Sequence, residues 1–293
     1  MAEVATSATS EQLLVVIDHV ARRSDGESVR IAKDVLSAGA SMKVCLPEGP
    51  DEFARALARR GSRRPVVVGD DRALIRAVSL LHRHRELAGC ALSVVPVGGV
   101  LSLASSLGVP TGTVAAARAV LDGVERRMDL MVDDSDGVVL GALRIPPLSP
   151  FPAAEDESSQ TEDPEAAGHA WLRTCQSLVR TLVPAGRPSR LTASPEPGPS
   201  RLRVEVDGET LVDLNQPVEA VSVAPGPAGI ASVEVRPVSV GAEASPLLAE
   251  GRTVTVSGAH FRYRADTVVS GPVRTRTWRV REGAWGLTVP AVS

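Results

Sequence analysis

"VVVGDDRALIRAV", Val66–Val78, is a run of valines, a polar turn, and then Ala73, Leu74, Ala77 and Val78 at helical spacing. It reads as a strand passing through a turn into a helix. A turn of this kind aims helix N–H groups at whatever lies beyond the strand. It suits a phosphate when glycines let the backbone come close. Here it holds Gly69, Asp70, Asp71 and Arg72, so two carboxylates stand where a phosphate would be repelled.

The segments around it have the same alternation. "LLVVID" (Leu13–Asp18) is continuously apolar, as expected of a strand covered on both faces. Helical spacing follows in "ESVRIAKDVLSAG" (Glu27–Gly39), then a strand in "SMKVCLP". "GPDEFARALARRG" has Pro and acids at its front and Arg and Gly at its back, the polarity of a helix. The helix after Val66–Gly69 is expected over Arg72–Gly89, the next strand in "ALSVVPVGG", and two helices in "VLSLASSLGV" and "TVAAARAVLDGV". Strands alternating with helices predict a parallel sheet with helices on both faces, over residues 11–132.

The pattern then changes. Arg126–Pro146 reads as a hairpin turning at Asp136-Gly137. A Pro-, Ser- and acid-rich run predicts a flexible loop over 147–165, and an amphipathic helix is expected over 166–183. From Arg201 onward come short Val- and Thr-rich segments split by Gly, Pro and Asp, the pattern of antiparallel β-structure. The expected architecture is an N-terminal parallel α/β domain with helices on both faces, followed by an antiparallel β-sandwich domain over 133–280. Residues 281–293 are expected to form a closing strand that returns to the first domain.

Composition excludes several classes. With 293 residues the chain has room for two domains. A net charge of −3 gives no basic footprint, which argues against nucleic acid. Aromatics are 2%, so the cores must be built from Val, Leu, Ala and Ile. Cys45, Cys90 and Cys175 lack metal or disulfide spacing. No apolar run reaches the ~18 residues of a membrane span. The opening "MAEVATSATSEQ" lacks the features of a signal peptide, so residues 1–10 are expected to be a disordered tail and the protein cytoplasmic. His82 and His84 are two apart on a helix, too close to chelate from one face, and are expected to be solvated. "DDSDG" (Asp133–Gly137) lacks the later ligands of a calcium loop and reads as a polar turn.

Several landmarks in this order resemble the diacylglycerol kinase catalytic family, which includes bacterial lipid kinases and sphingosine kinases and is structurally related to NAD kinases. "VVVGDDRAL" stands at the family's GGDGT-type motif, and "SVVPVGGVLSLASSLGVP" (Ser93–Pro110) at its P-x-G-T-x-N-D turn and helix. "AARAVLDGVERRMDLMVDDSDGVVLGAL", "AGHAWLRTCQSLVRTL" and "GAWGLTVP" follow in register. The resemblance runs from about Leu13 to Pro290. It implies transfer of the ATP γ-phosphoryl group to a lipid hydroxyl, with Mg2+ neutralising charge and a late carboxylate acting as base.

On that resemblance the nucleotide-binding positions are Gly69, Asp71, Arg72, Gly98 and Gly99, and Asp71 is the candidate metal ligand with Asp70 beside it; read from the residues alone, both aspartates are expected to cap the Arg72–Gly89 helix. The motifs are degraded. The Asn-Asp pair becomes Leu101-Ser102, the first-strand motif becomes Asp18–Arg22, and the late D-G-E aligns with Ser270-Gly271-Pro272. Serine is not a resting base near neutral pH. Another D-G-E, Asp207–Glu209, reads as a hairpin turn, with Asp207 as the alternative base. The resulting expectation is a lipid-kinase-like protein, weak or inactive, acting by binding or regulation, with a lipid or membrane surface as partner. The alternative is an active ATP- and Mg2+-dependent kinase acting on a diacylglycerol- or sphingoid-type hydroxyl.

Overall fold

The computed structural model describes residues 12–147, 199–238 and 245–291. The expected tail (1–10), nearly all of the acidic loop (147–165), the helix 166–183 and Cys175 lie outside the described residues.

Four parallel strands, β1 (Leu13–Ile17), β2 (Met42–Cys45), β3 (Arg64–Gly69) and β4 (Ala91–Pro96), lie in the spatial order β2-β1-β3-β4. Their pleat sends alternate side chains to opposite faces. Leu13, Val15, Ile17, Val66 and Val68 pack against α2 (Gly26–Gly39) and α6 (Thr113–Asp122). Leu14, Val16 and Val67 pack against α3 (Pro50–Ala58), α4 (Asp71–Arg83) and α5 (Ser102–Ser106). Because both faces are covered, "LLVVID" carries no polar alternation. A short helix, α1 (His19–Ser24), leads out of β1.

One helix is shorter than expected. The periodicity runs to Gly89, but α4 ends at Arg83. His84 caps it, and Arg85 enters the left-handed region at φ 59°. There the N–H of Arg85 donates to the His82 carbonyl and that of Glu86 to the Leu81 carbonyl, closing the helix end.

Antiparallel strands follow: β5 (Val124–Asp133), β6 (Val138–Val139), β7 (Leu143–Ile145), β8 (Ser200–Val206), β9 (Glu209–Val212), β10 (Pro217–Pro225), β11 (Ala231–Pro237), β12 (Leu247–Gly251), β13 (Thr253–Ala265) and β14 (Val268–Val289). Both β7 and β8 bridge β10 to β13, so these four strands close around an apolar interior that includes Val204, Val223, Val256 and Trp278.

The sequence pattern conveyed a mixed α/β chain, parallel first and antiparallel after. It placed a closing strand at 281–293 returning to the first domain, but not that this strand is the second half of a longer one that begins in the antiparallel part. The 22-residue β14 pairs with β13 along its first half and with β5 along its second, and ends parallel to β4 at Gly286 and Leu287. Its two tryptophans are both fully buried, Trp278 in the antiparallel core and Trp285 in the α/β core. Each supplies a large apolar surface in a chain poor in aromatics. Among the described residues no helix is long and apolar enough to cross a membrane.

Candidate functional site

Three helices begin just past the carboxyl ends of β1, β3 and β4, and each is capped by an aspartate of the chain itself. Asp18 follows β1; its Oδ2 accepts the Val20 N–H at 3.0 Å, and its Oδ1 takes the Arg76 guanidinium at 2.8 Å. Asp70 follows β3; its Oδ1 accepts the N–H groups of Arg72 and Ala73, both at 3.1 Å.

Asp71 does something the sequence did not indicate. The expectation was that both aspartates cap the helix they precede. Asp71 instead reaches α5, where Oδ2 accepts the Leu103 N–H at 2.8 Å and the Ser102 hydroxyl at 3.3 Å, and Oδ1 accepts the Ala104 N–H at 3.0 Å. The loop after β4 folds back to make this possible: the Val97 N–H donates to the Gly69 carbonyl and the Asp71 N–H to the Val100 carbonyl. Asp71 is 1% exposed, and both its oxygens are occupied by the protein.

The glycines of this region have packing reasons of their own. A Cβ on Gly69 would stand 2.7 Å from Ala73 Cβ and 3.1 Å from Asp18 Cβ. Gly98 has φ +124° and lies against Asp70, 3.4 Å from the Asp70 Cβ to where its own would be. Gly99 faces open space. Thus Gly69, Asp71, Gly98 and Gly99 do converge on one edge of the sheet, together with Asp18 and Asp70.

Arg72 lines an adjoining cleft of about 640 Å3 between α3, α4 and the β13–β14 hairpin, with Arg76, Pro50, Thr267, Val268 and Val269 on its walls. Val268 and Val269 are 51% and 45% exposed. Arg76 is held in place by Asp18 and by the ring of Phe53, whose centroid is 5.5 Å from the guanidinium carbon.

The two expected base positions both lie in the antiparallel part of the fold. Ser270 lies within β14, opposite Tyr263. Asp207 and Gly208 form the β8–β9 turn, both at positive φ, and the Asp207 carboxylate accepts the N–H groups of Arg252 and Thr253. It stands at the first end of β13, with the β13–β14 turn at the other, the thirteen residues between having an extended length of up to about 43 Å at ~3.3 Å per residue. Its geometry is that of a turn residue.

A carboxylate that the sequence reading missed occupies that β13–β14 turn. Asp266 accepts the N–H groups of Leu140, Gly141 and Ala142 at 2.8–2.9 Å. Burial pushes its pKa up from the usual 3.8, against the lowering effect of those three donors, and the nearby charge of Asp71 adds to the rise. The only sequence signal was a lone Asp between two long β runs, in "HFRYRADTVVSG".

Among the described residues no group of three or more His, Cys, Asp and Glu side chains is placed to hold a metal ion. Both Asp71 oxygens already accept backbone or hydroxyl donors and the side chain is buried, so holding Mg2+ there would compete with the bonds that tie Asp71 to α5. The Asp133–Gly137 segment is a closed turn, in which Asp133 accepts from Ser135 and Gly137. His82 corrects the expectation of a solvated ring: its side chain is 13% exposed, with Nε2 3.6 Å from the Asp136 carboxylate.

The chain is a parallel α/β sheet joined by its last strand to an antiparallel β part, with the Gly69–Arg72 turn at the sheet's carboxyl edge. Two candidate diacylglycerol kinase structures from Bacillus anthracis str. Sterne align with TM-scores of 0.67 and 0.65, at 12% and 11% identity, each covering 96% of this chain and 98% of theirs. A third, described as a diacylglycerol kinase of the same organism, aligns with a TM-score of 0.64 at 11% identity, covering 96% of this chain and 97% of its own. The chain therefore has the fold of the diacylglycerol kinase catalytic family. No protein-family model matches it, and no curated protein matches its sequence.

Proposed function

We propose that this protein is a lipid-kinase-like binding or regulatory protein that no longer uses ATP. The observation that carries the reading is the filling of the phosphate turn from within. The N–H groups at the start of α4 that would face a phosphate already donate to Asp70. A phosphate oxygen about 4 Å from that carboxylate would be opposed by roughly 4 kcal/mol per unit-charge pair at an effective dielectric near 20. Those at the start of α5 donate to Asp71. Arg76, one turn further along α4, is paired with Asp18. The absence of a carboxylate at Ser270 supports the same reading.

One observation favours the alternative of an active kinase. Asp266 is a carboxylate of raised pKa in the β13–β14 turn, electrostatically coupled to Asp71. A general base benefits from a pKa lifted toward neutrality. Against this, its two oxygens already accept three backbone N–H groups.

A calorimetric titration with ATP and magnesium, followed by a phosphoryl-transfer assay on diacylglycerol and sphingoid bases, tests the proposal. No saturable nucleotide binding and no turnover are expected. Turnover that disappears in Asp266→Asn would establish the active reading instead.

A further inference from the structure

At the far end of α4 the charge balance is reversed. Arg83, Arg85 and Arg281 border one cavity of about 510 Å3, with His82, Leu87, Ala88, Leu130, Asp136 and Ala284 completing it. Among the described residues, none of these three guanidinium groups makes a hydrogen bond or an ion pair. Arg60, Arg76, Arg126, Arg127 and Arg276 each have a partner, whereas Arg72, on the cleft at the other end of α4, has none among the described residues but stands alone at that end. The single opposing carboxylate is Asp136, which lies beside His82.

A second observation points the same way. Arg85 occupies a left-handed position directly after a helix, where glycine is the favoured residue and an ordinary side chain is strained. The strain is tolerated with an arginine, and that arginine borders the cavity. A cation near a helix C-terminus is also favourable to the helix itself. That role would be met by Arg83 and does not require a strained residue.

We propose that this cavity binds a soluble, multiply charged phosphate anion. Three guanidinium groups around one opening supply paired donors matched to phosphate oxygens. They also outweigh the partial negative charge of the α4 C-terminus, whose last carbonyls already accept from His84, Arg85 and Glu86. The apolar lining is buried: Leu87 is 4% exposed and Leu130 fully covered. Among the described residues the large exposed hydrophobics, such as Val268, Leu248 and Val100, all lie elsewhere. A free phosphate compound therefore suits the cavity better than a lipid headgroup, which would need an apolar platform beside it. The thirteen residues of α4 span about 20 Å at ~1.5 Å per residue, so this site is separate from the phosphate turn.

The test is a calorimetric titration of the full chain with pyrophosphate at low ionic strength, with sulfate at matched ionic strength and phosphatidylglycerol vesicles as parallel arms. One saturable pyrophosphate site is expected, weakened about tenfold or more in Arg85→Gly and in Arg281→Gln, each guanidinium–phosphate contact carrying on the order of one decade. Asp136→Asn should tighten it, and sulfate should compete only weakly. Glycine suits the left-handed position, so Arg85→Gly should melt no lower than the unaltered protein, and lost binding cannot then be ascribed to unfolding. Pyrophosphate binding insensitive to both arginine variants would place the anion elsewhere and overturn the proposal. So would sulfate binding of equal strength, or Arg85-dependent sedimentation with vesicles in the absence of pyrophosphate binding. A lowered melting temperature in Arg85→Gly with unchanged binding would reduce Arg85 to a helix-end charge and overturn its part in the proposal.

Discussion

The two ends of α4 carry opposite charges and treat them in opposite ways. At the N-terminal end Asp18, Asp70 and Asp71 all hold backbone N–H groups of the protein. At the C-terminal end Arg83, Arg85 and Arg281 hold nothing among the described residues. A charged group already saturated by its own chain is part of the framework. One left without a partner beside a cavity is free for a ligand. Under the nucleotide-site reading the N-terminal end would be the binding end, yet its acids are committed to the chain, and of its charged groups Arg72 alone borders a cleft without a partner among the described residues.

That contrast fails most visibly if Asp71 is dispensable. Asp71→Ala strands the N–H groups of Leu103 and Ala104 in a buried setting and should cost about 3 kcal/mol of unfolding free energy. Urea denaturation followed by tryptophan fluorescence measures it, and a loss near zero would mean the carboxylate is not structural. Arg85→Gly should act in the other direction, raising stability by up to about 1 kcal/mol as left-handed strain is relieved. The same denaturation experiment reads it.

A smaller effect concerns Asp266. Its pKa is raised in the fold, so the folded state holds the proton more tightly than the unfolded chain. Its stabilising contribution is therefore greatest below the unfolded value of 3.8 and declines as pH rises through the raised folded pKa. Asp266→Asn does not titrate. Its cost relative to the unaltered protein should be largest at the acidic end and shrink as pH rises, and a cost that grows with pH would show the sign to be wrong. Asp207→Ala should matter least, loosening one exposed turn without altering nucleotide or anion binding, as binding titrations on that variant would reveal.

Much of the fold was legible because it rests on periodicity. The unbroken apolar run of Leu13–Ile17 announced a strand covered on two faces, and the Val- and Thr-rich segments after Arg201 announced antiparallel strands. The closing strand was legible, but its continuity with the antiparallel part was not, since β14 pairs with β13, β5 and β4 in turn and no local pattern records a partner. The site was legible in place but not in wiring. "GDDR" marked the turn, yet adjacent aspartates serve two different helices because the distant Val97–Leu101 loop folds over one of them. The α4 end was hidden for a related reason. Apolar periodicity continues toward Gly89, and nothing in the identity of Arg85 announces positive φ. Asp266 escaped notice because it turns a hairpin without the Asp-Gly pair that flags Asp136 and Asp207.

Titration with ATP and magnesium of the unaltered protein beside Asp70→Gly is the most direct test of the self-filled turn. Glycine at a helix N-cap costs only a few tenths of a kcal/mol relative to aspartate, so the variant should remain folded. Its α4 N–H groups are then released and the repelling carboxylate is gone. The unaltered protein should show no saturable binding in the micromolar range, and Asp70→Gly should bind at least about tenfold more tightly, a gain of roughly 1.4 kcal/mol. Micromolar nucleotide affinity in the unaltered protein, unchanged or weakened in Asp70→Gly, would contradict the self-filled turn and make this chain a nucleotide-using kinase.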